Sequence, residues 1–401
     1  MIATAKLDAT NSATLNRRIA TVDLVRGMLM IIMALDHTRD FFSSATVNPT
    51  DPTASWPALF FTRWITHLCA PGFVALAGTS IYLQRQRGRS ATEMAKKLVT
   101  RGLWLIAVEV LVVSFGIFFT YHFHFLQVIY AIGGSMIVLA ALQFLPVRFV
   151  AIYGFIIVFL HNLLDRVPPP QAGLEAGAWK FLVMPGPFLD HGRLWILDTY
   201  PILPWSGIMA LGYAFGAVVL LPPAKRRARS LQLGLAALAL FVALRLTGLY
   251  GDPIVFAHLD SVTRTAMAFF NVTKYPPSLQ YVCATLGILL IIFSIADRLL
   301  ERHIASGPLG VVEIYGRVPF FYYIPHFYIL HLLVIVVAMI TMHTVHIHLW
   351  KPLFDQPPAN WGYSLPVVYA IWIAVVASLY FPCKWFAGVK ARRRDWWLSY
   401  L

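Results

Sequence analysis

The chain has 401 residues, 59% of them hydrophobic and only 12% charged, with a formal net charge of +14. A soluble domain carries about 25% charged residues, so a soluble enzyme is excluded, and the lack of any RNA- or DNA-binding module turns the positive charge away from nucleic acid. Apolar runs of roughly 20 residues recur along the whole length, each able to cross about 30 Å of hydrocarbon; the expected fold is therefore an all-α polytopic membrane helix bundle, not a β-barrel of short alternating strands.

About ten transmembrane helices are predicted, at roughly 20–42, 61–84, 98–119, 125–145, 148–165, 200–221, 230–250, 277–300, 317–341 and 364–384. Most Lys and Arg fall in Arg17-Arg18, RQRGRSATEMAKK (85–97), Arg148, AKRRAR (224–229), DRLLERH (297–303) and KARRR (390–394). With ten spans all of these lie on one side, so the positive-inside rule puts both termini in the cytoplasm. The expectation is one domain, 1–401, with a cytoplasmic tail at 1–19 and an uncleaved first helix acting as signal. The setting is the lipid bilayer of a bacterial inner membrane, and a homodimer is allowed. Cys69, Cys283 and Cys383 sit in or beside apolar runs and read as free buried thiols.

Helix 1 ends in DHTRD, with Asp36, His37, Arg39 and Asp40 crowded together. Charges at membrane depth are costly and mark functional sites. At 100° per residue, Arg26, Met30, Met33 and His37 share one stripe, with Asp23 one turn from Arg26. Arg26 and His37 are 11 residues apart, hence about 16 Å along the axis. An Asp23–Arg26 pair that only fixes packing is compatible with this stripe.

Helix 2 opens with Arg63 and His67, and its small residues Gly72, Ala75, Ala77, Gly78 and Ser80 predict a close helix contact. Helix 3 buries Glu109, for which Arg26 or Arg245 is the expected partner. The long loop 166–199 carries Asp190, His191, Arg193 and Asp198. Helix 8 follows NVTKYPPSLQY, with Lys274 and Tyr275 at its start, and helix 9 carries His326 and His331. His343, His346 and His348 could bind metal adventitiously, but no metal is expected.

RIATVDLVRGMLMIIMALDHTRDFF and ITHLCAPGFVALAGTSIYL, with NVTKYPPSLQYVCATLG and GRVPFFYYIPHFYILH, resemble the heparan-α-glucosaminide N-acetyltransferase catalytic-domain family, most of all its bacterial members. The resemblance implies membrane-embedded transfer of acetyl from cytosolic acetyl-CoA to a terminal sugar amine across the membrane. It also implies a catalytic histidine in the loop between the first two helices. Residues 43–60 contain no histidine, so His37 and His67, which flank that loop, are the candidates, His37 first.

The expected protein is thus an acetyl-CoA-dependent acyltransferase acting on an amine or hydroxyl of a sugar-like small molecule or glycan at the outer face. His37 or His67 serves as general base, and Asp36 or Asp40, or a carboxylate of loop 185–205, orients it. Arg26, Lys96, Lys97, Arg101, Arg317 and the 225–229 cluster are the candidates for the CoA phosphates. Arg39, Arg63, Lys274, Tyr275 and His331 are placed around the acceptor, with Lys274, Arg63 or Tyr275 on the oxyanion. Direct transfer and an acetyl-imidazole route both remain open. The competing class is a proton-coupled small-molecule transporter, which also uses intramembrane acids and histidines.

Overall fold

The computed structural model describes residues 2–190, 195–302, 307–344, 360–393 and 395–400. His191, Arg193, His303, His346 and His348 lie outside them. The helices in chain order are α1 (Ile2–Phe42), α2 (Pro57–Ile65), α3 (Cys69–Arg85), α4 (Ala91–Val108), α5 (Ser114–Phe118), α6 (Val128–Leu142), α7 (Val147–Leu160) and α8 (Gly173–Leu182). Then come α9 (Ile202–Val219), α10 (Pro223–Thr247), α11 (Val262–Phe270), α12 (Leu279–Arg302), α13 (Pro308–Arg317), α14 (Pro319–Met342), α15 (Leu365–Ser378) and α16 (Tyr380–Arg392).

Among the described residues, eight helical stretches are long and apolar enough to cross a membrane. Helix α6, with 15 residues, is shorter, and α1 carries Asp23, Arg26, Asp36, Arg39 and Asp40. Together these match the predicted spans in order. The protein is an all-α multi-pass membrane bundle, and its outward face is apolar, with Leu111, Phe155, Leu246, Ile340 and Phe381 more than half exposed. In water such a surface would aggregate; in a bilayer it is the solvated face.

At the centre α1 packs on α13 and α3 on α9, and glycine lets each pair touch. A Cβ on Gly27 would lie 1.8 Å from the Val312 carbonyl oxygen, and one on Gly316 would lie 1.7 Å from that of Asp23, so α1 and α13 meet backbone to backbone. Gly78 against Met209 and Gly212 against Ala75 do the same for α3 and α9, each at 2.1 Å. Without a hydrophobic drive between helices in lipid, such close packing holds the bundle together.

The ends are set by ordinary capping chemistry. Ser90 and Glu93 form a reciprocal capping box at the start of α4. Trp361 Nε1 donates to the Phe41 carbonyl at 3.0 Å, and Tyr363 N to that of Phe42 at 2.7 Å, closing the end of α1. Buried Arg226 donates to Asp297 at 2.6 Å and to the Val219 and Leu221 carbonyls, clamping α10 to α12.

One feature departs from the all-helical expectation. A small sheet, ordered β1-β3-β2, joins β1 (Phe123–Leu126), β2 (Gly186–Asp190) and β3 (Trp195–Asp198). β1 and β3 are parallel, with Leu126 opposite Asp198. Gln127 and Tyr200 follow these two strands and so come to neighbouring places. The segment 271–278 is tied down by Asp252, which accepts from Thr273 N at 2.9 Å, Thr273 Oγ1 at 3.0 Å and Ser278 Oγ at 2.6 Å. Lys274 and Tyr275 ride on that segment.

Candidate active site

Two cavities lie along the polar stripe of α1. The larger, about 250 Å³, is lined by Arg26 and Met30 of α1, Phe73, Ala77 and Ser80 of α3, Lys97 and Arg101 of α4, Val128 of α6, Arg317, Tyr323 and Lys390. The smaller, about 30 Å³, is lined by Met33, Asp36 and His37 of α1, with Thr66, Cys69, Phe73, Gln127, Val128, Tyr200 and Lys274. Phe73 and Val128 wall both. The stripe Arg26–Met30–Met33–His37 therefore runs from a strongly cationic chamber to a small chamber containing an imidazole.

The cations of the larger chamber differ in their commitments. Arg26 donates to Asp23 at 2.9 Å, to Ser80 Oγ at 2.7 Å and to the Gly316 carbonyl at 3.1 Å. Arg317 pairs with Glu313 at 2.6 Å. Lys97 contacts only the Gln84 amide oxygen, at 3.3 Å, among the described residues. Lys390, on α16, has no carboxylate within ion-pair distance among the described residues. Lys96 is exposed and does not line the chamber. Of the 225–229 cluster, Arg226 is spent on Asp297 and Arg227 on Glu301, away from both cavities.

In the small chamber, His37 Nδ1 lies 2.7 Å from His326 Nε2 of α14. The His37 ring stacks on Phe327 with centroids 4.3 Å apart. Neither Asp36 nor Asp40 bonds to His37. Asp36 is held by Arg39 at 2.9 Å and Arg63 at 3.3 Å, and Asp40 by Arg39. For Asp36 helix geometry explains this, since a residue adjacent in sequence points about 100° away while Arg39 lies one turn on; Asp40, one turn from His37, is instead taken by Arg39. The partner of His37 is thus an imidazole, in place of the expected carboxylate.

Lys274 enters the small chamber over the rings of Tyr200 and Tyr275, at 5.9 and 4.9 Å from their centroids. Burial raises the phenol of Tyr200 well above its ordinary value. Burial would raise Tyr275 as well, but Lys274 and Arg63 draw it below that value. Burial pushes the Asp198 carboxyl up to about 8, although it accepts from Tyr200 N at 2.7 Å. Arg63 donates to Thr66 Oγ1 at 2.8 Å as well as to Asp36, so it is already engaged.

The remaining expected site residues lie elsewhere. His67 packs against Trp64 and Tyr281 and lines neither cavity, although its neighbours Thr66 and Cys69 do. His331 bonds to the Ile117 carbonyl at 2.8 Å and stacks on Phe119. Glu109 is paired with neither Arg26 nor Arg245. Its carboxyl accepts from Tyr130 N at 3.0 Å, capping the first turn of α6, while Arg245 donates to the carbonyls of Ile254, Ala268, Phe269 and Asn271. Cys69, Cys283 and Cys383 are free and buried. Among the described residues no group of three His, Cys, Asp or Glu is placed to hold a metal ion.

Residues 18–248 match the family described as heparan-alpha-glucosaminide N-acetyltransferase, catalytic. The chain belongs to that family. Membership, with the long apolar helices, makes it a multi-pass protein of a membrane acyltransferase family. No curated protein matches the chain at a significant level. The matched region runs from residue 18 to Gly248 and so contains the chamber-lining part of α1 with all of α3, α4 and α6, which form most of both chambers. Lys274, Arg317, His326 and Lys390 come from beyond it.

Proposed function

We propose that the protein transfers acetyl from cytosolic acetyl-CoA to an amine or hydroxyl of a sugar-like acceptor at the outer face of a bacterial inner membrane. The observation that carries this reading is the pair of chambers sharing Phe73 and Val128, one walled by five cations and the other holding His37. Family membership supplies the reaction class.

In this reading Lys97, Arg101, Arg26, Arg317 and Lys390 bind the phosphates of CoA, because phosphate oxygens take charge-assisted hydrogen bonds from ammonium and guanidinium groups. The basic loops on the same side favour a cytoplasmic mouth. Met30, Phe73 and Val128 offer an apolar path for the pantetheine arm, which brings the thioester to the small chamber. His37 removes the proton from the acceptor N–H or O–H as the nitrogen or oxygen attacks the thioester carbonyl carbon. Lys274 stabilises the oxyanion that develops. The carbon–sulfur bond then breaks, the acyl group leaves on the acceptor, and the thiolate takes the proton from the His37 imidazolium. Atoms and charge balance, and no external proton is consumed.

The test is acetyl transfer in proteoliposomes loaded with amino-sugar and neutral-sugar acceptors, following thiol release. CoA release that needs an acceptor and is lost in His37→Ala supports the reading. Full turnover in His37→Ala removes His37 as base. An acetylated His37 trapped without acceptor would make the transfer a two-step one through the imidazole.

A further inference from the structure

The bond between His37 and His326 has only one possible direction when both rings are neutral. His326 is fully buried in α14, and its Nδ1 lies against the main-chain carbonyl of Tyr323. A carbonyl oxygen only accepts, so His326 Nδ1 carries the hydrogen. A neutral imidazole has a single N–H, so His326 Nε2 is a bare lone pair. That atom is 2.7 Å from His37 Nδ1. The donor there must be His37 Nδ1–H, which leaves His37 Nε2 as the free lone pair.

Resting on the reading of His37 as base, we propose that His326 is the positioning residue that fixes His37 in its Nδ1–H tautomer and presents Nε2 to the acceptor. His37 lines the small chamber, whereas His326 lines neither chamber, so His326 acts only through its partner. Phe327, the next residue, stacks on His37 at 4.3 Å and holds the ring plane. The two nearby carboxylates, Asp36 and Asp40, are committed to Arg39 and Arg63. When Nε2 takes a proton, the Nδ1–H bond to His326 becomes charge-assisted and stronger. The imidazolium is thus stabilised only while it exists. At membrane depth this device also avoids burying the standing carboxylate charge that an Asp–His arrangement would need at rest.

The experiment uses the full chain in detergent, with His326→Phe, His326→Gln and His37→Ala. Phe keeps a ring but cannot accept a hydrogen bond; the Gln amide oxygen can. kcat is expected to fall about 100-fold or more in His326→Phe, as for a base held in the wrong tautomer. KM for acetyl-CoA stays within about twofold, and His326→Gln regains at least about tenfold of the loss. A role in packing alone would depress Phe and Gln alike and leave no rescue, and that result overturns the proposal. Full activity in His326→Phe, with His37→Ala inactive, overturns it while leaving His37 as base. Full activity in His37→Ala instead overturns the reading beneath it. If His326→Phe does not fold, ¹⁵N spectra of the histidine-labelled wild type decide, taken as a difference against His37→Ala. Protonated Nδ1 with bare Nε2 at His37 is expected, and the opposite tautomer refutes the proposal.

Discussion

Lys390 is the most informative single position in the cationic chamber. It comes from α16 near the end of the chain, lines the chamber with Lys97, and has no carboxylate partner among the described residues. Arg26 and Arg317 divide their charge with Asp23 and Glu313, so an anion entering the chamber meets the two lysines as its least committed cations. Lys390→Met keeps the stem and removes the charge. A hydrogen bond to a charged group is worth about 1.5–3 kcal/mol. The lysine is only partly buried, so screening brings this down to about 1–2 kcal/mol. At about 1.4 kcal/mol per decade, KM for acetyl-CoA should rise about 5- to 30-fold. kcat should stay near wild type, because in the proposed binding mode Lys390 would meet the CoA phosphates and not the reacting carbonyl. The assay is thiol release at saturating acceptor, with acetyl-CoA and acetyl-dephospho-CoA side by side. If Lys390 holds the 3′-phosphate, the variant's penalty disappears with the dephospho donor. An unchanged KM, or a fall confined to kcat, refutes the assignment of this chamber to the donor phosphates.

The other predictions concern the frame. Arg226→Met strips buried Asp297 of its nearest cation, leaving it Arg227 at 3.6 Å and Thr21 Oγ1 at 3.1 Å, and should cost up to about 3–5 kcal/mol, whereas Arg226→Met with Asp297→Leu should regain most of it; thermal unfolding in detergent reads both, and donor KM in the double variant should match wild type because this pair lies away from the chambers. Asp252→Ala removes the acceptor of Thr273 and Ser278, at a cost of about 1–3 kcal/mol, and should lower kcat more than donor KM by releasing Lys274 from the small chamber. Gly316→Val would drive a side chain into the Asp23 carbonyl, so the variant should lose its monodisperse peak on size-exclusion chromatography.

The membrane spans were legible because hydropathy is a local property: each run of apolar residues declares itself without knowledge of its neighbours. The stripe on α1 was legible for the same reason, since helical spacing alone aligns Arg26, Met30, Met33 and His37. What eluded the sequence was non-local. β1 is four residues long and pairs with a strand some 70 positions away, Phe123 opposite Trp195. His37 finds His326 across 289 residues, with no pattern in either segment to announce it. Glu109 looked like half of an ion pair; its actual partners are main-chain N–H groups at the start of α6, which carry no side-chain signature. Lys390 was hidden in KARRR, where a basic run at a membrane boundary reads first as topology. The 225–229 cluster erred the other way: equally basic, it is spent on Asp297 and Glu301.

In the proposed mechanism one substrate path runs from the cationic chamber past Phe73 and Val128 to His37. The most direct test is a structure of the full chain with a non-transferable acetyl-CoA analogue. The 3′-phosphate is expected within hydrogen-bond distance of Lys97 or Lys390, and the acyl carbonyl beside His37 Nε2 with Lys274 near its oxygen. An analogue seated in the cationic chamber with its acyl end turned away from His37, or bound outside the chamber altogether, would contradict it.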